Sequence, residues 1–282
     1  MAQPGGPVTV CVINLKGGVG KSTISALLAR RGYTSRSLDV LAIDLDPQAN
    51  LSQGLMHRGY TDFINAGRPS IVELFNGYVP PNDSSSGPTP LIPNYGFETI
   101  AQTVGRSLQL IPSRFDFSDN LLGAVRPDPR ILARYLSENF KHKDLILIDC
   151  SPTESILTTA AYHASGKILV PVKPEFFATV GFPLLRQSID NFRNQNRAHQ
   201  INVAGIVINN AFYDGGNNGG PEKTQAMMDI RREATQNKWT IYSKEILHSR
   251  GFPKIMRGDN SYSGNAQYFF TFADEFFRSV GL

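Results

Sequence analysis

Residues 14–23, Asn-Leu-Lys-Gly-Gly-Val-Gly-Lys-Ser-Thr, place three glycines, two lysines and two hydroxyl residues directly after the apolar run Val8-Thr-Val-Cys-Val-Ile13. Glycines at this density let several backbone N–H groups converge on an anion without Cβ clashes. Beyond the loop, Ile24, Leu27 and Leu28 recur at helical spacing through Ser22–Arg31. The expectation is a buried strand, a phosphate-binding loop and a helix whose N-terminal amides face the bound phosphate. That unit commits the chain to an α/β fold with its chemistry at the C-terminal ends of the strands.

The remainder agrees. Apolar runs at Leu38–Asp44, Ser107–Pro112, Asp144–Asp149, Lys167–Val172 and Val203–Asn209 alternate with helical patterns at about 50–57, 130–140, 154–163, 179–194 and 222–236. This order predicts a doubly wound, mostly parallel sheet with helices on both faces. With 282 residues, 41% of them hydrophobic, residues 1–282 are expected to form a single domain. Two stretches rich in turn formers, 80–90 and 214–221, are expected to be mobile loops. The final segment, Ala266–Leu282, reads as a docking helix with Phe269, Phe272, Phe276 and Val280 near one face. Cys11 and Cys150, the chain's two cysteines, lack metal-ligand spacing and are expected to be reduced core residues. No run approaches the length of a membrane span and the N-terminus lacks a secretory pattern, so a cytoplasmic protein is expected.

Transfer of a γ-phosphate needs neutralised phosphoryl charge, a held Mg²⁺ and an oriented nucleophile. Lys21 suits the β- and γ-phosphates, Ser22 the Mg²⁺, and Thr23 the α-phosphate at the helix start. Asp149, ending the Leu-Ile-Leu-Ile strand, is the expected indirect or water-mediated Mg²⁺ partner. Asp44 and Asp46 stand at the end of an earlier strand.

The loop departs from the ordinary Gly-x-x-x-x-Gly-Lys-Ser/Thr spacing. Leu15 stands where the first glycine is usual, and Lys16 follows it. This doubled-lysine loop resembles that of the ParA/MinD ATPases, as do Asp44-Leu-Asp-Pro-Gln48, Pro171-Val-Lys-Pro-Glu-Phe-Phe-Ala178, Ile111-Pro-Ser113 and Ala273-Asp-Glu275. Gly166-Lys167 departs from the family, which commonly has an aspartate there.

The resemblance implies ATP and Mg²⁺ as cofactors. It implies catalytic roles for Lys16, Lys21 and Asp46: Lys16 reaches the nucleotide of a second copy, and Asp46 positions the attacking water. Asp44 would join Ser22 and Asp149 near the metal, and Lys16, Gly17, Gly18, Val19, Gly20, Lys21, Ser22 and Thr23 would bind the nucleotide. Asn209 or Asn210 would meet the adenine. The chain has no Asn-Lys-x-Asp guanine-reading motif, which favours ATP over GTP.

A basic stretch between Lys223 and Arg257, including Lys244, Arg250, Lys254 and Arg257, suits a DNA backbone without sequence readout. With this basic stretch, the resemblance implies an ATP-bound homodimer on nucleoid DNA, released when an adaptor of ParB type stimulates hydrolysis. The final helix offers Arg278 against Asp274 and Glu275, a poor match to anionic lipid, so stable membrane association is not expected. A MinD-like positioning ATPase on membrane and an ATP-dependent metabolic enzyme on the same fold remain the alternatives.

Overall fold

Strands buried on both faces must be apolar at every position, whereas a helix-covered sheet sends successive residues to opposite cores. The computed structural model, which describes residues 6–77, 98–115, 128–175, 178–210, 220–259 and 264–282, shows this division. Its strands are β1 (Val8–Val12), β2 (Val40–Asp44), β3 (Glu98–Thr103), β4 (Arg106–Ile111), β5 (Leu145–Asp149), β6 (Lys167–Val172), β7 (Asn202–Asn210) and β8 (Ile246–Leu247). They pair in the order β3-β4-β2-β5-β1-β6-β7-β8. The β3–β4 pair is antiparallel and the others are parallel. The doubly wound, mostly parallel architecture expected from the sequence is therefore the one observed.

Alternate strand residues go to separate cores. Cys11, Leu41, Ile43, Ile146, Ile148, Ile168 and Val170 face one core, and Val10, Val12, Val40, Ala42, Leu145, Leu147 and Leu169 face the other. The first core is covered by α4 (Ile71–Gly77), α5 (Ile131–Asn139), α6 (Ile156–Ala164), α7 (Ala178–Gln195) and α8 (Gly220–Asn237). The second is covered by α1 (Lys21–Ser35), α2 (Asn50–Met56), α9 (Phe252–Met256) and α10 (Ala266–Val280). A further helix, α3 (Arg58–Asn65), packs Tyr60 and Phe63 against Ala49 and Met56. Cys11 and Cys150 are free and buried in the first core.

Several features differ from the sequence reading. The edge strand β3 was not expected, because Glu98–Thr103 alternates only weakly and is half-exposed. Helix α1 runs past Arg31 to Ser35, carrying Gly32 into ordinary van der Waals range of Val40 and Leu38. The loop expected at 214–221 gives way at Gly220 and Pro221 to the start of α8, consistent with proline's tolerance in the first helical turn. Residues 80–90 and 214–219 lie outside the described residues.

At the sheet end away from the glycine-rich loop, Lys143 is 1% exposed and pairs with Asp39 at 2.7 Å while donating to Ser107 Oγ. Burial raises the Asp39 carboxyl, but the Lys143 and Ser107 hydrogen bonds outweigh it and hold the group below its ordinary range.

Helix α10 buries Phe269, Phe270, Phe272, Phe276, Phe277 and Val280. Among the described residues no helix is long and apolar enough to cross a membrane. Phe276 is fully buried, edge-on to Phe277 and Tyr242. Phe276→Ala should therefore lower unfolding stability by about 3–5 kcal/mol in urea titration. A change under about 1 kcal/mol would mean that the helix is not part of the core.

Candidate functional site

The loop between β1 and α1 stands at the C-terminal end of the central strand, with β5 on one side and β6 on the other. Asn14 anchors its first residue. Its Nδ2 donates to Pro171 O at 2.8 Å, and its Oδ1 accepts the Lys16 N–H at 3.0 Å. At the far end, Asn209 Nδ2 donates to Val19 O at 2.9 Å. Gly18 and Gly20 have φ of 72° and 89°, the left-handed region that side chains disfavour. A Cβ on Gly20 would also fall 2.2 Å from Asn209 Nδ2. The loop is thus clamped between β6 and β7, and its shape requires glycine at position 20.

Gly20 leads into α1 and the first turn, Lys21-Ser-Thr-Ile, carries no acidic residue, so the helix N-terminus is electrostatically open to an anion. Gly17, Gly18, Gly20, Lys21, Ser22 and Thr23 line a cleft of about 500 Å³, closed opposite by Asp46, Gln48 and Asn50. Lys21 is buried, and its Nζ donates to Lys16 O at 3.2 Å. Burial lowers its pKa, against the negative charges of Asp149 and Asp46. Lys16 turns the other way: its Nζ lies 2.9 Å from Glu175 Oε2, beyond the end of β6.

Beneath the loop, Asp44 and Asp149 stand opposite each other in register on β2 and β5, both fully buried. Asp44 Oδ2 accepts from the Ser52 N–H at 2.8 Å and Ser52 Oγ at 2.7 Å, and its Oδ1 from the Asp46 N–H at 3.1 Å. Burial pushes its pKa up to about 7 against those bonds. Asp149 Oδ1 accepts from Ser25 Oγ at 3.1 Å, while Oδ2 has no hydrogen-bond partner among the described residues. Burial, and then the Asp44 charge, raise the Asp149 carboxyl well above its ordinary value despite the nearby Ser22 hydroxyl and Lys21. Asp46 lines the cleft, its Oδ1 accepting the Gln48 N–H at 2.9 Å.

A second cleft, of about 450 Å³, shares Gly20 and Thr23 with the first and is walled by Ile24, Leu27, Ile246 and Phe252. An apolar slot continuous with a phosphate-shaped one suits a heterocyclic base. Asn209 lines it, although its amide nitrogen is already given to the loop. Asn210 ends β7. Lys244, Arg250, Lys254 and Arg257 are all exposed, with Arg250 also on the wall of the second cleft. Lys254 lies on the short α9, whose Met256 reaches the phosphate cleft and whose Met256 O accepts from Arg30 Nε at 2.8 Å.

A family model described as an AAA domain matches residues 8–203. Over 214 residues the chain is 32% identical to the chromosome-partitioning ATPase Soj of Treponema pallidum, covering 73% of this chain and 72% of that one. The chain belongs to the ParA/MinD family of P-loop ATPases. Its fold is similar to that of Cyanothece McdA in an ATP complex, with a TM-score of 0.74 at 19% identity over 98% of this chain and 97% of that one. It is also similar to cobyrinic acid a,c-diamide synthase from Mycobacterium smegmatis with bound ADP and magnesium. There the TM-score is 0.64 at 22% identity, over 89% of this chain and 91% of that one.

A divalent cation fits the donor set of this ParA/MinD-family chain. The buried, unpartnered Asp149 Oδ2 and the cleft-lining Ser22 supply hard oxygen ligands. Among the described residues no cluster of three or more His, Cys, Asp or Glu forms a protein-only metal cage. Asp44 has both oxygens engaged by Ser52 and the Asp46 amide, so it braces the loop that carries Asp46.

Sequence reasoning did not single out Asn14, Ser25, Ser52 or Met256. Ser25 was the most accessible of these, one helical turn after Ser22 and on the same face. Asn14 and Ser52 act through contacts 157 and 8 residues away along the chain, which local spacing does not reveal.

With burial raising its pKa to about 7, folded Asp44 should retain, above the ordinary aspartate range, a proton that the unfolded chain loses. Stability should therefore fall as pH rises through that window. Asp44→Asn should flatten the slope by an amount on the order of 2–4 kcal/mol between pH 4.5 and 7.5 in urea unfolding. An unchanged slope would show that Asp44 is ionised throughout.

Proposed function

We propose that this chain is an ATP-dependent dimerisation switch of ParA type, which binds DNA without sequence preference as its ATP dimer and positions a cargo. An adaptor of ParB type would stimulate hydrolysis and release the dimer, making the protein cytoplasmic and nucleoid-associated. The observation that carries this reading is the separation of the two loop lysines. Lys21 is buried within its own cleft, whereas Lys16 points out of it toward Glu175 at the rim. A cation placed there serves a nucleotide on another molecule better than its own.

Lys21, Ser22 and the loop amides would hold the phosphates, and Asp46 would orient water. When bound, Mg²⁺ would offset charge between the β- and γ-phosphates, held by Ser22 and Asp149. The apolar second cleft would take the adenine. Lys244, Arg250, Lys254 and Arg257 give the exposed positive surface that phosphate-backbone binding requires.

Placement of the α10 phenylalanines in the core favours this reading over a membrane-bound one. The likeness to a synthase keeps a metabolic enzyme as the competing class, because the fold alone does not separate them. ATP should induce binding to arbitrary duplex DNA that weakens steeply between 50 and 200 mM salt, by roughly 10³-fold if about six phosphates are contacted, in fluorescence anisotropy. Equal binding with ADP, or binding to anionic liposomes instead, would overturn the assignment.

A cation donated to the transferring phosphoryl group can be worth roughly 10³–10⁵ in rate. Lys16→Ala should thus abolish hydrolysis while leaving binding of a fluorescent ATP analogue within about twofold. Full turnover in that variant would remove the trans-lysine role.

A further inference from the structure

Glu175 is shared by two cations. Its Oε2 lies 2.9 Å from Lys16 Nζ, and its Oε1 pairs with Lys173 Nζ. All three side chains are about three-quarters buried, with exposures of 26%, 26% and 21% for Glu175, Lys16 and Lys173. The turn Lys173-Pro174-Glu175 closes with the Glu175 N–H donating to Lys173 O at 2.8 Å, which fixes the two chain neighbours close together. Asn14 bonds both Pro171 O and the Lys16 N–H, so the loop and the end of β6 are held in one frame. Gly181 of α7 lies behind them, its Cβ direction 3.6 Å from Asn14 Oδ1 and 4.0 Å from Lys16 Cβ. The carboxylate therefore meets Lys16 from a braced position.

We propose that Glu175 and Lys173 are positioning residues for Lys16: Glu175 parks the Lys16 ammonium at the rim of an unpaired subunit, and Lys173 keeps Glu175 paired once Lys16 leaves. The inference rests on the trans-lysine role proposed above and names how that role is restrained. Moving Lys16 to another subunit's phosphates breaks a charge-assisted hydrogen bond within its own subunit. With Glu175 held by Lys16 alone, that departure would strand a partly buried carboxylate, an unfavourable state. A second ammonium on the other oxygen removes most of that penalty. Burial pushes the Glu175 carboxyl up, yet the hydrogen bonds from Lys173 and Lys16 hold it below its ordinary value, in keeping with a carboxylate that stays charged.

The arrangement makes opposite predictions for two neighbouring residues. Removing the carboxylate releases Lys16 from this one contact, and removing Lys173 ties Lys16 more tightly to Glu175. Two purely structural residues would both weaken the assembly when replaced.

The test is sedimentation analysis of the full chain with Mg²⁺ and a non-hydrolysable ATP analogue at low salt. Glu175→Gln should tighten the dimer roughly two- to five-fold, Lys173→Gln should loosen it by a similar factor, and the double variant should return to at least wild-type affinity. Glu175→Asp, which shortens the reach to Lys16, should fall between wild type and Glu175→Gln, and serves if the glutamine variant does not fold. ADP affinity and the thermal midpoint verify folding for each protein. Unchanged or weaker dimerisation with Glu175→Gln, or a Lys173→Gln defect that the second change does not rescue, would overturn the proposal. A wild-type chain that stays monomeric with the analogue would instead overturn the dimerisation reading itself.

Discussion

Two carboxylates brought side by side in a dry interior govern the rest of this site. Parallel pairing of β2 with β5 puts Asp44 opposite Asp149, both fully buried. Like charges so placed repel strongly in a low dielectric, and each raises the cost of ionising the other. The structure answers them unequally. Asp44 is satisfied by Ser52 and the backbone of the following loop, whereas Asp149 keeps one oxygen without a protein partner. Lys21, itself destabilised by burial, lies close enough for its charge to favour ionised Asp149. A divalent cation with its phosphate ligands would resolve the imbalance.

The Asp44 carboxylate also connects to geometry outside the cleft. Asp44 fixes Ser52, and Ser52 Oγ accepts the Ser113 N–H at 2.9 Å at the end of β4. The same carboxylate holds the Asp46 amide. The segment from Asp46 to α2 is therefore seated on a fully buried carboxylate. Helix α2 touches α9 where Gly54 faces Met256, and Met256 also reaches the phosphate cleft. Charge at the strand ends and the placement of the basic α9 are thus linked through packed atoms.

Much of this was legible in the chain before any coordinates. The phosphate loop, the apolar strands and their order were readable because each rests on local constraints: glycine's freedom at Gly18 and Gly20, and continuous burial for Leu145–Asp149. Glu175 lay within a recognised segment, but nothing in its spacing pointed to Lys16, 159 residues away. Arg250 illustrates the converse. Its charge suggested a DNA surface, and the structure adds that it borders the base-sized cleft, a relation set by tertiary packing alone. The edge strand β3 escaped notice because a half-exposed strand carries little hydrophobic signal.

Strand order carries a consequence for how the molecule comes into being. The glycine-rich loop is complete within the first 23 residues, yet β1 pairs with β5 and β6, not with the adjacent β2. Its platform therefore does not exist until residues 145–172 have joined the sheet, and its Asn209 clamp comes later still. Parallel contacts of such sequence separation form slowly, after the entropy of closing long loops has been overcome. A nucleotide that selects the native state would then capture only chains that are nearly finished, acting as a checkpoint on assembly before it serves as fuel.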